Sequence, residues 1–156
     1  MYTRTEENYL KAIYSLSKKE GKDVSTNSIA DRLDTKASSI TDMIKKLSAK
    51  KLVSYTKYKG VNLTKKGEKI AVEIIRNHRL WEVFLVDKLQ FKWDEVHELA
   101  EQLEHVKSEK LINNLEAFLG FPKFDPHGDP IPDRLGVLPK REESKTLDEM
   151  LEDEKG

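Results

Sequence analysis

A run of histidines and glutamates between positions 97 and 105 has the clearest capacity for chemistry in this sequence. If the run is helical, a turn of about 100° per residue places four polar side chains within an arc of roughly 100°: His97, Glu101, Glu104 and His105. The adjoining face is apolar, so these groups lie at the edge of a buried seam, where unpaired charge is costly. Two imidazoles and two carboxylates suit Fe²⁺ or Mn²⁺. An ordinary acidic surface helix with scattered histidines remains the alternative.

An earlier pair of residues has the same chemistry. His78 and Glu82 are four positions apart, which places them on one face of a helix. A single pair of this kind is typical of a surface salt link or a hydrogen-bonded histidine. Two matching pairs in one small chain favour metal binding.

The composition limits the class of protein. The 156 residues contain no cysteine, which excludes disulfides, thiolate zinc sites and thiol nucleophiles and fits a reducing cytoplasm. The amino terminus lacks the apolar core of a signal peptide, and no apolar run reaches membrane-spanning length, so we expect a cytoplasmic protein. The zero net charge hides a division: residues 1–75 hold 16 Lys+Arg against 9 Asp+Glu, whereas residues 76–156 hold 12 against 19. This division indicates a polyanion-binding module followed by a cation-binding one.

Apolar periodicity and turn residues in the first half predict a winged helix-turn-helix. The expected elements are a helix N-capped by Thr5 and extending to about Lys19, a short helix from Ser25, a third helix over 37–50, and a hairpin with strands over 52–56 and 61–63.

Double-stranded DNA is the expected partner of this half. Small hydroxyl side chains and backbone amides at the start of the third helix suit phosphates and base edges, and lysines at the hairpin tip suit the backbone. A three-helix module that binds proteins is the alternative, which the basic bias disfavours. The candidate DNA-binding residues are Lys36, Ala37, Ser38, Ser39, Thr41, Asp42, Lys46, Lys57 and Lys59.

The second half predicts further helices and then irregular chain. A long helix begins at the N-cap Thr64 and ends near Leu89, Trp93 opens the next, and Ser108 starts another that stops at Gly120. A proline-rich segment follows, and a charged tail that could carry one marginal helix begins at about Lys140. The predicted division is a DNA-binding domain over 1–75, a helical domain over 76–139 and a tail over 140–156.

Several segments, in order, resemble the diphtheria-toxin-repressor family of iron- and manganese-dependent transcriptional regulators. They cover roughly residues 3–138: the stretch 5–14, the helix-turn-helix and wing, and the stretches 77–82, 96–106 and 128–132. The resemblance implies a mainly α fold, in which an N-terminal winged helix-turn-helix precedes an all-helical domain for metal binding and dimerisation.

The resemblance also implies two metal sites. The primary ligands would be Asn8, Glu101, Glu104 and His105, and the ancillary ligands His78, Glu82 and His97. Iron-type members have a thioether and a thiol where this chain has Asn8 and Glu101, so oxygen ligands here favour Mn²⁺ over Fe²⁺. Asn8 replaces the usual carboxylate of manganese-type members, and Lys11 stands where some members have an acidic ligand.

The function implied is that of a non-enzymatic, homodimeric repressor that metal activates and that silences metal-uptake genes at a palindromic operator. The chain would be either a short form without the SH3-like domain that follows in many relatives or a chain truncated before that domain. Two alternatives remain open: a di-metal carboxylate enzyme, and a metal-stabilised interaction module. We expect the dimer to use apolar residues of the later helices: Trp81, Phe84, Leu85, Leu111, Leu115 and Phe118.

Overall fold

The computed structural model describes residues 2–140, and over this range the chain forms six helices and one antiparallel hairpin. The mainly helical fold with a winged helix-turn-helix is confirmed, whereas the predicted tail lies outside the described residues except for Lys140. The elements are α1 (Arg4–Glu20), α2 (Thr26–Leu33), α3 (Ala37–Ala49), β1 (Val53–Thr56), β2 (Gly60–Leu63), α4 (Lys65–Asp87), α5 (Val96–Leu103) and α6 (Glu109–Phe118).

Helix α1 begins two residues earlier than the sequence predicts. Thr3, and not Thr5, is its N-cap, because Thr3 and Glu6 form a reciprocal capping box. The Thr3 hydroxyl accepts from the Glu6 amide at 3.1 Å, and the Glu6 carboxylate accepts from the Thr3 amide at 3.0 Å. Two of the unpaired amides at the helix start are thereby satisfied.

The wing is attached to the helix-turn-helix by close backbone contact. Val24, just before α2, exchanges two backbone hydrogen bonds with Val61 of β2, at 2.9 and 2.7 Å. Gly60 permits this approach, since a Cβ there would lie 2.5 Å from the Val24 carbonyl oxygen and the residue has a φ of 114°. The segment before α2 is therefore held against the wing.

Helix α4 belongs to both cores of the molecule. Thr64 caps it, accepting from the Gly67 amide at 3.1 Å. Ala71 packs in the core of the winged helix, whereas Leu80 packs in a second core with α5 and α6. The boundary predicted between residues 75 and 76 thus falls inside one continuous helix, and that division stays a prediction.

The segment after α6 folds back onto α4. Ile131 is buried in the second core, and Arg76 of α4 donates to the carbonyl of Pro132 at 3.2 Å and to the carboxylate of Glu116 at 2.8 Å. This path places residues 124–130 beside the carboxyl-terminal half of α4. Within residues 2–140, no helix is both long and apolar enough to span a membrane.

Candidate metal centre

His78 of α4 joins two buried carboxylates. Its Nδ1 lies 2.8 Å from Oε2 of Glu104, the residue that follows α5, and its Nε2 contacts Oε1 of Glu82, one helical turn away. All three residues are buried. One imidazole therefore connects α4 to the end of α5.

Charge pairing stabilises this buried cluster. Burial by itself lowers the pKa of His78, but hydrogen bonds to Glu104 and Glu82 outweigh it and the pKa lies above its ordinary value. Burial raises the pKa of both carboxyls, yet the bonds to His78 and the nearby cations hold each pKa below its usual range. The cluster thus holds two charged carboxylates whose negative charge is compensated by neighbouring cationic groups.

Helix α1 supplies one such cation. Nζ of Lys11 lies 2.8 Å from Oε1 and 3.0 Å from Oε2 of Glu104. The Glu104 carboxylate is fully buried, whereas the Lys11 side chain retains 22% of its exposure. This ion pair connects the winged helix to the helical half.

His105 is the residue whose surroundings best fit a metal ion. Its Nδ1 lies 3.0 Å from Oε1 of Glu7 on α1. Its Nε2 is buried, makes no hydrogen bond with any described residue, and lies 3.4 Å from Oε1 of Glu104. One ring nitrogen of His105 is therefore buried without a partner among the described residues beside a carboxylate oxygen, and the other ring nitrogen contacts a second carboxylate. This arrangement is typical of a metal ligand.

The structure separates the four residues that the sequence places on one helix face. Helix α5 ends at Leu103, so His105 lies beyond it and turns toward α1. Glu101 instead has its Oε1 2.9 Å from Nε2 of His97. The side chains of Glu104 and His105 therefore lie close to each other. Asn8 and Glu101, the other two residues expected at the primary site, line an adjacent cavity of about 800 Å³. The prediction of a single helical face is wrong because the helix stops before the run does.

The three residues expected at the ancillary site do come together. Each of His78, Glu82 and His97 offers one ligand atom, and these atoms lie within 4.8 Å of one another. Nδ1 of His97 is 3.6 Å from Oε1 of Glu82, and the His97 side chain is exposed. This trio opens onto the same cavity that Asn8 and Glu101 line.

Sequence reasoning missed two residues on the other side of Glu82. Nδ1 of His127 lies 2.8 Å from Oε2 of Glu82, and Asp125 completes a second trio with ligand atoms within 4.8 Å. Burial raises the pKa of the Asp125 carboxyl; burial lowers that of His127, but Glu82 outweighs it and the His127 pKa is raised. In the sequence, the indication of this second trio is the spacing of His127 two positions after Asp125, in a segment without helical periodicity.

The nine candidate DNA-binding residues all lie on the surface of the winged helix. Lys36 is the N-cap of α3 and makes no side-chain capping bond, so the amides at the start of this helix face outward without a capping oxygen. At the wing tip, between Lys57 and Lys59, the ring of Tyr58 is 94% exposed. Such a surface suits a polyanion.

The fold and the site together define a winged-helix protein with a candidate cation-binding cluster between its DNA-binding and helical halves. Residues 1–61 match the family model described as "Iron dependent repressor, N-terminal DNA binding domain", and residues 64–133 match "Iron dependent repressor, metal binding and dimerisation domain". The chain belongs to the iron-dependent repressor family.

Individual relatives agree with this assignment. The iron-dependent repressor IdeR of Mycobacterium tuberculosis is 36% identical over 138 residues, which are 87% of this chain and 60% of that protein. The HTH-type transcriptional regulator MntR of Oceanobacillus iheyensis is 32% identical over 125 residues, or 80% of this chain and 84% of that one. A solved structure, "Manganese-dependent transcriptional repressor complex with manganese", is 42% identical with a TM-score of 0.79, covering 88% of this chain and 63% of that one. The chain thus spans about 60% of the length of its IdeR relatives.

Proposed function

We propose that this chain is a homodimeric, cytoplasmic transcriptional repressor whose DNA binding is activated by Mn²⁺ or Fe²⁺. The observation that carries the proposal is the buried corner formed by Glu104 and His105 against Glu7 and Lys11 of α1. This corner is where the DNA-binding half meets the helical half, so a cation held there acts on both. One relative is named as a repressor and another as a transcriptional regulator, which supports a regulator rather than an enzyme.

The metal ligands belong to this proposal. Glu104 and His105 would hold the primary ion, with Asn8 and Glu101 reaching it from the adjacent cavity. The ancillary ion would take the trio on Glu82, with Asp125 and His127 as further donors. A divalent cation supplies positive charge that oxygen and nitrogen donors from several elements can share. Every candidate donor is oxygen or nitrogen, which favours Mn²⁺.

Helix α1 is the element that would carry the effect of metal to the DNA-binding surface. Glu7 contacts His105, while the preceding residue, Glu6, lies 2.6 Å from Nζ of Lys50 at the end of α3. Leu10 is fully buried in the core of the winged helix. Consecutive carboxylates therefore fasten α1 to the metal corner on one side and to the reading helix on the other. A metal ion that restricts the position of α1 would therefore restrict the position of α3 as well.

The reading surface would recognise a palindromic operator of metal-uptake genes. Helix α3 carries serines and threonine at its start and no arginine, so the commonest contact to guanine is missing there. Shape, phosphate contacts and half-site spacing would supply the specificity. Lys57 and Lys59 would hold the backbone beside it.

Exposed apolar side chains on the helical half suit a second copy of the chain. Of the six residues expected at a dimer surface, Trp81, Leu85 and Leu115 are buried within the chain. Leu111 and Phe118 are exposed by 40% and 62%. These two residues of α6 are our candidates for the dimer contact.

Metal-dependent DNA binding tests the proposal. A duplex would be selected by the protein from a random library in the presence of Mn²⁺, and its binding would be measured with Mn²⁺, with Fe²⁺ and with chelator. We expect tight binding only with metal, and a steep loss of affinity as salt is raised because phosphate contacts release counterions. Equal affinity in metal and in chelator would contradict the proposal.

A further inference from the structure

The ammonium of Lys11 contacts the carboxylate of Glu104, which is a ligand of the proposed primary site. Its Nζ is within hydrogen-bonding distance of both oxygens of Glu104, at 2.8 and 3.0 Å. Oε1 of Glu104 is also the oxygen that faces the unpartnered Nε2 of His105, at 3.4 Å. The atoms that suit a metal and the atoms that hold the lysine are therefore the same.

The carboxylate of Glu104 has little capacity left. A carboxylate offers about four acceptor positions. Lys11 uses one on each oxygen, and His78 uses another on Oε2 at 2.8 Å. A divalent ion bound to Glu104 beside His105 would share Oε1 with Lys11, and repulsion between the two cations across that oxygen favours the withdrawal of Lys11.

A cavity beside the cluster can receive the ammonium of Lys11. Its side chain lines the cavity of about 800 Å³ next to the cluster, where Asn8 and Ser15 of the same helix are also found. A lysine carries its charge on a flexible four-carbon stem and can move it into water while α1 stays in place. Withdrawal therefore does not require that the helix unfold.

We infer that Lys11 is a built-in competitor of the metal for Glu104, and that it sets the metal concentration at which the primary site fills. Without metal, the Lys11–Glu104 ion pair links α1 to the helical half and compensates the buried carboxylate. This inference rests on the proposed role of Glu104 and His105 as metal ligands. The inference assigns to the primary site a positively charged residue, Lys11, beside the negatively charged Glu104.

Replacing Lys11 tests the inference. Mn²⁺ binding to the full chain would be measured by calorimetry in a His97→Ala background, which weakens the ancillary trio. Lys11→Gln removes the ammonium from Glu104, so we expect Mn²⁺ to bind about tenfold or more tightly. Lys11→Arg retains the charge and should bind Mn²⁺ no more tightly than the parent. Lys19→Gln, which removes an exposed charge from the same helix, is the matched control and should behave as the parent.

A second measurement uses the unaltered chain and so does not depend on the folding of a variant. Acetylation of lysines by an activated ester, read by mass spectrometry, should increase at Lys11 when Mn²⁺ is added and stay constant at Lys19. Unchanged Mn²⁺ affinity in Lys11→Gln, or unchanged acetylation of Lys11, overturns the inference.

The failure of the inference can be told apart from the failure of the proposed function. If His105→Ala loses Mn²⁺ binding while Lys11→Gln leaves it unchanged, the metal site stands and the competitor role of Lys11 is wrong. If His105→Ala binds Mn²⁺ as the parent does, the proposed primary site itself is wrong.

Discussion

Glu7 and His105 are 98 positions apart in the sequence, and the carboxylate of one lies 3.0 Å from Nδ1 of the other. Lys107 lies 3.3 Å from the second oxygen of Glu7 and holds that carboxylate in place. The contact determines which ring nitrogen of His105 is free, since Nε2 alone then faces Glu104. A residue of the DNA-binding half thereby orients a candidate ligand on the helical half.

Glu7→Gln tests this orienting role. The amide keeps the shape of the side chain but removes its charge, so Nδ1 of His105 loses its carboxylate partner. We expect a loss of roughly 10- to 100-fold in Mn²⁺ affinity, as is usual when a partner behind a metal-binding histidine is removed. Calorimetry with Mn²⁺ measures this loss.

The matched control is Glu73→Gln, which removes an exposed carboxylate from α4. Circular dichroism of both variants would confirm that the helices are retained. A Glu7→Gln protein with the Mn²⁺ affinity of the control would show that Glu7 serves only the fold.

His97→Ala tests the ancillary trio. His97 is exposed and touches Glu82 and Glu101, but it makes no contact with the Glu104–His105 corner among the contacts described. We expect DNA binding to need more Mn²⁺ while reaching the same level at saturation, because the primary ligands remain. A titration of duplex binding against Mn²⁺ measures both quantities. If His97→Ala abolished the response as completely as His105→Ala, the two sites would form one cluster.

Phe118→Asp tests the dimer surface. The exposed ring of Phe118 packs against Phe84, with ring centroids 6.4 Å apart, and lies at the end of α6. A carboxylate in a buried apolar contact is costly, so we expect a monomer with weaker affinity for a palindromic duplex. Light scattering after size exclusion gives the mass.

Leu135→Asp is the control for the dimer surface, since Leu135 is 89% exposed on the segment after α6. That variant should retain the dimer. A Phe118→Asp protein that remained dimeric would place the interface elsewhere.

Local sequence patterns were sufficient for the elements of the fold. Ser25, Thr64 and Ser108 each cap the helix that the sequence assigns to them, because a hydroxyl before an apolar periodic run acts within three residues. The same reasoning failed at Thr5, where two threonines compete and only Thr3 has a glutamate three positions later. The reciprocal hydrogen bonds between Thr3 and Glu6 therefore determine which threonine caps the helix.

The candidate site could be predicted only in part, because its contacts are distant in sequence. The pair His78–Glu82 is visible as a four-residue spacing, and the structure keeps it together. Lys11 and Glu104 are 93 positions apart, and Glu82 and His127 are 45 apart. No periodicity links such residues, so the contact between Lys11 and Glu104 and the second trio could be found only from the packing of α1 and of the segment after α6 against α4.

We propose that metal and DNA bind to one coupled system through α1. Thermodynamic linkage requires that Mn²⁺ and DNA raise each other's affinity by the same factor. The direct measurement is the Mn²⁺ affinity of the full chain with and without a saturating selected duplex, set beside the duplex affinity with and without Mn²⁺. We expect one common factor, of the order of 5 to 150. An Mn²⁺ affinity that the duplex leaves unchanged would contradict it.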